Sequence, residues 1–578
     1  MKSMKLRPYI LFVLLLVVPM GCADLAVENT NEPDRQKAIT QPSDLVSLLG
    51  GTTSSVVQMT VEVYAVHVDA MADQTTTTNA YFNFWDFAEQ PRLRLNNAPS
   101  YSSASVFTSP WSSWNRGIST ANTLIAIIEN DGTIIEVDGV DVTANVLAGA
   151  YFLRGLAEGY IGMTYDQGYV VTPDTDLTTL EYSSYTDVIL AAVADMDKAI
   201  EIANGAPASF SYSAIAGTAN SWNKNEFKDI ANSYAAKFLA NWARTLAEAN
   251  DPAHWALVES YANKGIGGSA ASSTLTNFIV TSVGPNVLVH NYADWTGYVL
   301  SDGAGYLPSD QKIAHLLDPE NQPVDYPAAD GVVLDPVVSD DARAYYQNYT
   351  TTFGFLRADR NRALFTNYWN WRMWAGNNWW EDGYPIPMIT GVEMDYIRAE
   401  AKVFQGDGAG AAAIMNNTPA GNVAMDLSPF ELPQVTLGND VTENLFLTGG
   451  TTFTGSESLA DWQWNFLKEY SMELDMMGGY GLQWYMMRRH DLLQPGTALQ
   501  FAVPGAELGY YGIPQYSFGG AGNESEVGTA DGSNSWKNLY SKTSATTSSV
   551  NGEVETFAPK MVMPSVVPNT QNEAKIDQ

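Results

Sequence analysis

TANVLAGAYFLRGLAEGYIGMTYDQGY, residues 143 to 169, places apolar or small side chains at helical spacing, with Val146, Ala150, Leu153, Ala157, Tyr160 and Ile161 on one stripe. Gly155, Gly159 and Gly162 interrupt it, each costing about 1 kcal/mol of helix propensity relative to alanine. A helix tolerates three such residues where a second helix approaches too closely for a side chain. A partner follows in SYTDVILAAVADMDKAIEIA (184–203), where Val188, Ala192, Met196, Ala199 and Ile200 form a matching stripe. Together the two segments carry a degenerate tetratricopeptide pattern. Leu153-x2-Leu156-Ala157-x2-Tyr160 fits its first helix and Ala192-x3-Met196-x2-Ala199 its second, across a longer loop than that repeat uses.

The same spacing recurs along the chain. EFKDIANSYAAKFLANWARTLAEA (226–249) repeats it through Ala231-x2-Tyr234-Ala235-x2-Phe238, and DPAHWALVESYANKG (251–265) follows with Asp251-Pro252 as a helix start. In GVEMDYIRAEAKVFQGDGAGAAAIMNNT (391–418), Ile397, Ala401 and Phe404 recur before a glycine-rich turn. Three hairpins predict a mainly α fold, a tetratricopeptide-like helical-repeat scaffold with long ordered loops and a few short strands. The hairpins fall at about 140–265 and 390–420 of a single body, 45–578. Residues 265–385 and 425–560, rich in Gly, Pro, Ser, Thr, Asn and aromatics, read as long ordered loops with short strands. Such loops on a rigid scaffold are where binding surfaces usually lie.

The formal charge of −34 repels nucleic acid and anionic lipid, so no nucleic-acid partner is expected. Charged residues are nevertheless only 16% of the chain and aromatics are 12%. That polarity, carried by Asn, Ser, Thr and Gly, suits a binder of polar, uncharged molecules. Lys2, Lys5 and Arg7 precede an apolar run from Tyr9 to Val18, shorter than the roughly 20 residues that span a bilayer. It reads as a signal peptide over 1–21. Without its three basic residues the net charge is −37.

The run closes on VVPMGCADL (17–25), where Cys22 is the only cysteine of the chain, so an intrachain disulfide or cysteine metal cluster is ruled out. Gly21 before that cysteine resembles the lipobox of bacterial lipoproteins, with Pro19 where leucine is usual. The resemblance implies lipidation at Cys22, a flexible tether over 22–44 and a surface-exposed, lipid-anchored place on the bacterial outer membrane.

Four stretches in order resemble the SusD/RagB family of outer-membrane nutrient-binding lipoproteins: Cys22 followed by DLAVENTNEPD (24–34), DGTIIEVDGVDVTANVLAGAYFLRGLAEGYIGMTYDQGY (131–169), VEMDYIRAEAKVFQGD (392–407) and YGLQWYMMRRHDLLQPGTALQFAVPGAEL (480–508). Arg488, Arg489 and Asp491 fit the family's basic-acidic cluster, while Tyr480 to Tyr485 is more aromatic than its pattern. The resemblance implies a tetratricopeptide-like scaffold, a variable loop region at about 265–385 and a C-terminal part at about 425–570. It also implies non-enzymatic capture of an oligosaccharide, or in some members a peptide, for a SusC-like TonB-dependent transporter.

The residues support such a role independently. A sugar offers an apolar C–H face that packs on an indole and hydroxyls that amides and carboxylates bind. TTTTNAYFNFWDFAEQPRLRLNN (75–97) supplies Asn79, Tyr81, Trp85 and Asp86, with Arg92 and Arg94 beside them. HNYADWTGYVLSDGAGY (290–306) supplies Trp295 and Tyr298, and NYWNWRMWAGNNWWEDGYP (367–385) supplies Trp374 and Trp380. Tyr160, Tyr165, Tyr169 and the methionines of MELDMMGGYGLQWYMMRRHD (472–491) read as core. No cofactor, metal site or catalytic set is expected: the five histidines are scattered, and neither a nucleophile elbow nor a phosphate loop occurs. Asp138 to Asp141 and Asp340-Asp341 read as solvated turns. An extracellular glycoside hydrolase, which needs only two carboxylates, and an envelope assembly protein are the alternatives.

Overall fold

The computed structural model describes residues 41–61, 63–76, 83–213, 215, 220–281, 308–326, 334–349, 364, 366–370, 385–424, 434–437, 441–444, 447–475, 477–479 and 481–543. Its frame is helical: α1 (Pro42–Met59), α2 (Val63–Met71), α3 (Ser105–Ile125), α4 (Thr143–Thr164), α5 (Tyr185–Gly205), α6 (Lys224–Ala240), α7 (Pro252–Lys264), α8 (Gln311–Leu317), α9 (Gly391–Phe404), α10 (Gly408–Met415), α11 (Leu459–Met472) and α12 (Leu482–Arg489). Packing runs neighbour to neighbour, α1 on α3, then α4, α5, α6, α7, α9 and α10, as in a helical-repeat array. The mainly α, repeat-like expectation holds. Among the described residues the sheets are two-stranded pairs, and no helix is long and apolar enough to cross a membrane.

The three glycines of α4 have the cause the sequence suggested. A Cβ on Gly155 would lie 2.8 Å from the Ala192 carbonyl oxygen, and one on Gly162 2.6 Å from Ile189 Cγ1. As α4 advances, its contacts on α5 retreat, so the two helices are antiparallel. Gly159 faces α6 instead, where a Cβ would fall 2.3 Å from the Phe238 ring. A single stripe proves too narrow a reading: α4 is buried on every side from Ala148 to Thr164, because α3, α5 and α6 all pack on it. Its one buried arginine, Arg154, is satisfied inside the array by two 2.6 Å bonds to Asp195 of α5 and a 2.7 Å bond to Asn122 of α3.

Local signals set the helix starts. Asn223 accepts from Asn225 N and Glu226 N while Glu226 bonds back to Asn223 N, a capping box opening α6. Asp251 accepts from Ala253 N and His254 N to open α7, with Pro252 in its first turn. Between α3 and α4, Glu136–Val137 and Val140–Asp141 form a hairpin. Its turn residues Asp138 and Gly139 both have positive φ, 51° and 78°, as an Asp-Gly turn requires. Asp141 serves α4 by accepting from Thr143 N at 2.9 Å.

Two expectations need correction. Residues 265–385 and 425–560 are not only loops and short strands, since α8 lies within the first and α11, α12 and the helix Gly505–Tyr510 within the second. The α11 segment LADWQWNFLKEYSM is aromatic rather than alanine-rich, and what starts it is the capping box of Ser458 with Asp461. Of the Asp340-Asp341 pair, Asp340 is exposed as expected but Asp341 is not solvated. Asp341 is buried, bonds Arg343 at 2.8 and 3.0 Å and lies 3.0 Å from Lys468. Arg343 also binds Glu469 at 2.6 and 2.7 Å, fixing this segment to α11.

The C-terminal basic-acidic cluster is a staple for the whole array. Arg489 holds Glu400 of α9 through two bonds of 2.5 and 2.6 Å, Asn241 at 2.6 Å and the Tyr470 hydroxyl of α11 at 3.1 Å. Arg488 donates to the carbonyl oxygens of Leu499 and Asn241 at 2.9 and 2.6 Å. Asp491 accepts from Leu246 N at 2.9 Å. Tyr160, Tyr165 and Tyr169, with Met472, Met477, Met486 and Met487, are buried core, as read from the sequence.

Candidate functional site

Of the residues picked as ligand contacts, Trp85 and Asp86 lie within the described chain. Asn79, Tyr81, Trp295, Tyr298, Trp374 and Trp380 lie outside the described residues, as does Cys22. Trp85 sits in the short helix Phe84–Ala88 and is 4% exposed. Asp86 accepts from the Tyr101 hydroxyl at 2.8 Å. Arg92 is a buried strut rather than a ligand contact: it binds Asp73, Phe87 O at 3.1 Å and Thr497 Oγ1 at 3.1 Å. Arg94 is half exposed and pairs with Glu526 at 2.9 Å.

The described residues fix where the three aromatic stretches are rooted. Residues 77–82 leave the chain at Thr76, whose N–H donates to Pro308 O at 2.9 Å. Pro308 is where residues 282–307 return. Thr75 and Ser309 form an antiparallel bridge, and Asp310 N donates to Gln74 O at 3.2 Å. Ser309 N in turn donates to Tyr368 O at 2.9 Å, and the Thr366 hydroxyl to Ser309 O at 2.8 Å. Residues 371–384 leave two positions beyond Tyr368, at Asn370. At the far ends, β1 (Asn277–Thr281) pairs antiparallel with β4 (Pro385–Thr390), joining Thr281 to Pro385. Between them in sequence, β2 (Gln347–Tyr349) pairs with β3 (Tyr368–Asn370) and brings Gln347 Oε1 within 2.6 Å of the Ser309 hydroxyl. The described residues that flank 282–307 and 371–384 are thus held side by side at both ends, and Thr76, which precedes 77–82, lies at the same place.

A buried charge cluster underlies these roots. Asp73 accepts from Arg92, from Gln494 Nε2 at 2.8 Å and from Trp536 Nε1 at 2.8 Å. Burial opposes ionisation of Asp73, yet Arg92 and its hydrogen bonds hold its carboxyl below the ordinary value. Asp310 opens α8 by accepting from Lys312 N at 2.8 Å and also accepts from the Tyr326 hydroxyl. Burial, and then the neighbouring Asp73 charge, push Asp310 up to about 7. Lys312 donates to Ala72 O at 2.8 Å, and burial brings it down to about 8 against the pull of those acids. Burial and Asp475 raise Asp69 well above the carboxylate range, and Asp475 accepts from Asn370 Nδ2.

All four carboxylates are 8% exposed or less. Chemically they brace: each root is tied to the cluster by a buried bond, and none of the four is presented to solvent as an acid or base. Among the described residues no group of three or more His, Cys, Asp or Glu is placed to hold a metal ion. Local pattern gives no signal for the long-range part of this bracing, because Gln494 and Trp536 lie hundreds of residues from Asp73.

No protein-family model matches the sequence, and no curated protein matches it. Solved structures do. A SusD superfamily protein from Bacteroides thetaiotaomicron aligns with a TM-score of 0.51 at 14% identity, covering 81% of this chain and 93% of that one. Another from Parabacteroides distasonis aligns at 0.50 and 12% identity, covering 81% and 98%. At such identities the likeness is one of fold.

Proposed function

From a chain with the fold of the SusD superfamily, we propose a non-enzymatic nutrient-binding lipoprotein, anchored through Cys22 to the outer membrane. It captures an oligosaccharide at the cell surface and hands it to a TonB-dependent transporter. The observation that carries this reading is the convergence of three aromatic, amide-rich stretches on one braced set of roots. A polar, uncharged ligand needs stacking faces and hydroxyl partners presented together, and Trp295, Trp374 and Trp380 with Asn79, Tyr81 and Tyr298 are the residues proposed to supply them. Bracing of the roots by buried charges supports a rigid presentation of those residues.

Calorimetric titration of the purified chain with neutral oligosaccharides and with peptides tests the proposal. An oligosaccharide should bind, and Trp374→Ala or Trp295→Ala should weaken it by about 2 kcal/mol or more. Recovery of a shortened sugar after incubation would replace capture with hydrolysis. Binding of peptides alone would move the ligand class.

A further inference from the structure

A second aromatic surface lies apart from the loop roots. Immediately after the buried Val503 and Pro504, the helix Gly505–Tyr510 and the turn that follows present Tyr510 84% exposed, Tyr511 53% and Ile513 38%. The segment is firmly built. Leu508 is buried beneath it and accepts from Ile513 N at 2.9 Å. Asn97 donates to Val503 O and Tyr516 O at 2.9 and 3.0 Å and accepts from Gly505 N at 3.0 Å. The Tyr516 hydroxyl donates to Asp166 at 2.8 Å and the Tyr169 hydroxyl to Glu507 at 3.1 Å. Tyr169 and Tyr182 stack behind it, 4.7 Å apart and 20° from parallel.

The two chain segments that build it carry charge of one sign. From Tyr165 to Ser184 the chain carries Asp166, Asp174, Asp176 and Glu181, and from Gly496 to Ser535 Glu507, Glu524, Glu526 and Asp531, with no lysine or arginine in either segment. Arg92, Arg244 and Arg488 reach the second segment from the buried interior, and the half-exposed Arg94 is engaged by Glu526.

The geometry discriminates between occupants. Tyr510 and Tyr511 stand edge to face, 5.3 Å apart at 80°, which gives no flat platform for a sugar ring. A ring exposed to 84% projects outward, whereas small-ligand sites are concave. Projecting tyrosines are the residues that dominate protein interfaces. Their faces attract cations, and the flanking carboxylates complement a positive potential.

We propose that the Tyr510–Tyr511–Ile513 turn is a docking surface for the transporter, which meets it with lysine or arginine side chains. This rests on the hand-off reading above and adds where contact is made. The turn shares no residue with the roots at 74–76, 308–310 and 366–370, so ligand and partner can be held together.

The test co-expresses the full chain with a candidate TonB-dependent transporter from the same genome. The chain is purified by an affinity tag at low and high salt, and the retained transporter is quantified. Tyr510→Ala with Tyr511→Ala should retain at least about tenfold less transporter. The Phe pair, which keeps the rings, should restore it, and Tyr510→Lys should lose it by repulsion. High salt should weaken the wild-type complex. Oligosaccharide binding, titrated in parallel, should be the same in every variant. Equal retention by the alanine pair overturns this surface and leaves the hand-off standing. Loss of sugar binding in that pair overturns it too, by assigning the turn to the ligand. A wild-type chain that retains no transporter removes both.

Discussion

At the scale of single residues, Gly159 and Gly51 make opposite predictions from one chemical change. A Cβ on Gly159 would lie 2.3 Å from the Phe238 ring, and forcing carbon into a close-packed interior costs about 1–3 kcal/mol. Gly51 sits within α1 with nothing inside 4 Å of its would-be Cβ. Alanine there removes only unfolded-state freedom and should stabilise by about 0.5–1 kcal/mol. Urea unfolding followed by circular dichroism should therefore move Gly159→Ala and Gly51→Ala in opposite directions. Movement the same way would refute the close-approach account of α4.

Titration supplies a second residue-scale prediction. Burial, followed by Asp73, raises Asp310 from an ordinary 3.8 to about 7. A carboxyl raised on folding contributes stability that is complete below its unfolded value and lost as pH rises through its folded one. Asp166, raised to about 6 by burial, acts in the same sense. Glu400 acts in the opposite sense. Burial opposes its charge, but Arg489 and His490 outweigh burial and hold it down to about 2. Its contribution is present above an ordinary 4.5 and lost as pH falls toward about 2. Wild-type stability should decline between about pH 5 and about pH 8, and Asp310→Asn, which keeps an acceptor for Lys312 N, should flatten that decline. Denaturant midpoints across this range decide it; an unchanged slope would mean that Asp310 does not titrate there.

At the scale of elements, helices announce themselves where their signals are local. The α4–α5 pair, α6 with α7, and α9 with α10 all stand where apolar spacing, Asp251-Pro252 and the turn at Asp407 put them. The capping box of α6 is an equally local device, and Asn223→Ala should cost about 1 kcal/mol in the same unfolding experiment. The reading faltered where a helix is carried by aromatics, as α11 is, because Trp, Tyr and Phe mark strands and loops as readily. It faltered again over breadth: a stripe on α4 was legible, but that α3 and α6 would cover its remaining faces is a tertiary fact. For the site, the aromatic stretches were legible from composition. Their common rooting was not, since Thr76–Pro308 and Ser309–Tyr368 are bonds between backbone atoms that carry no side-chain signature.

At the scale of the whole molecule, the Arg489–Glu400 pair joins α12 to α9 while Asn241 and Tyr470 bring in the ends of α6 and α11. Removing one partner of a buried pair strands the other, at about 3–5 kcal/mol. Glu400→Gln should therefore lower unfolding free energy by about that amount in a single transition. A silent substitution would show that the staple is incidental to the array.

Trp536 donates to Asp73 across 463 positions of chain. During synthesis at about 5–20 residues per second, the carboxylate leaves the ribosome roughly 25 to 90 s before the indole that completes its shell. Until then Asp73 has Arg92, 19 positions further on, as its charge partner, and its shell lacks the Trp536 donor. The shell of that carboxylate is therefore completed only once the last tenth of the chain has emerged.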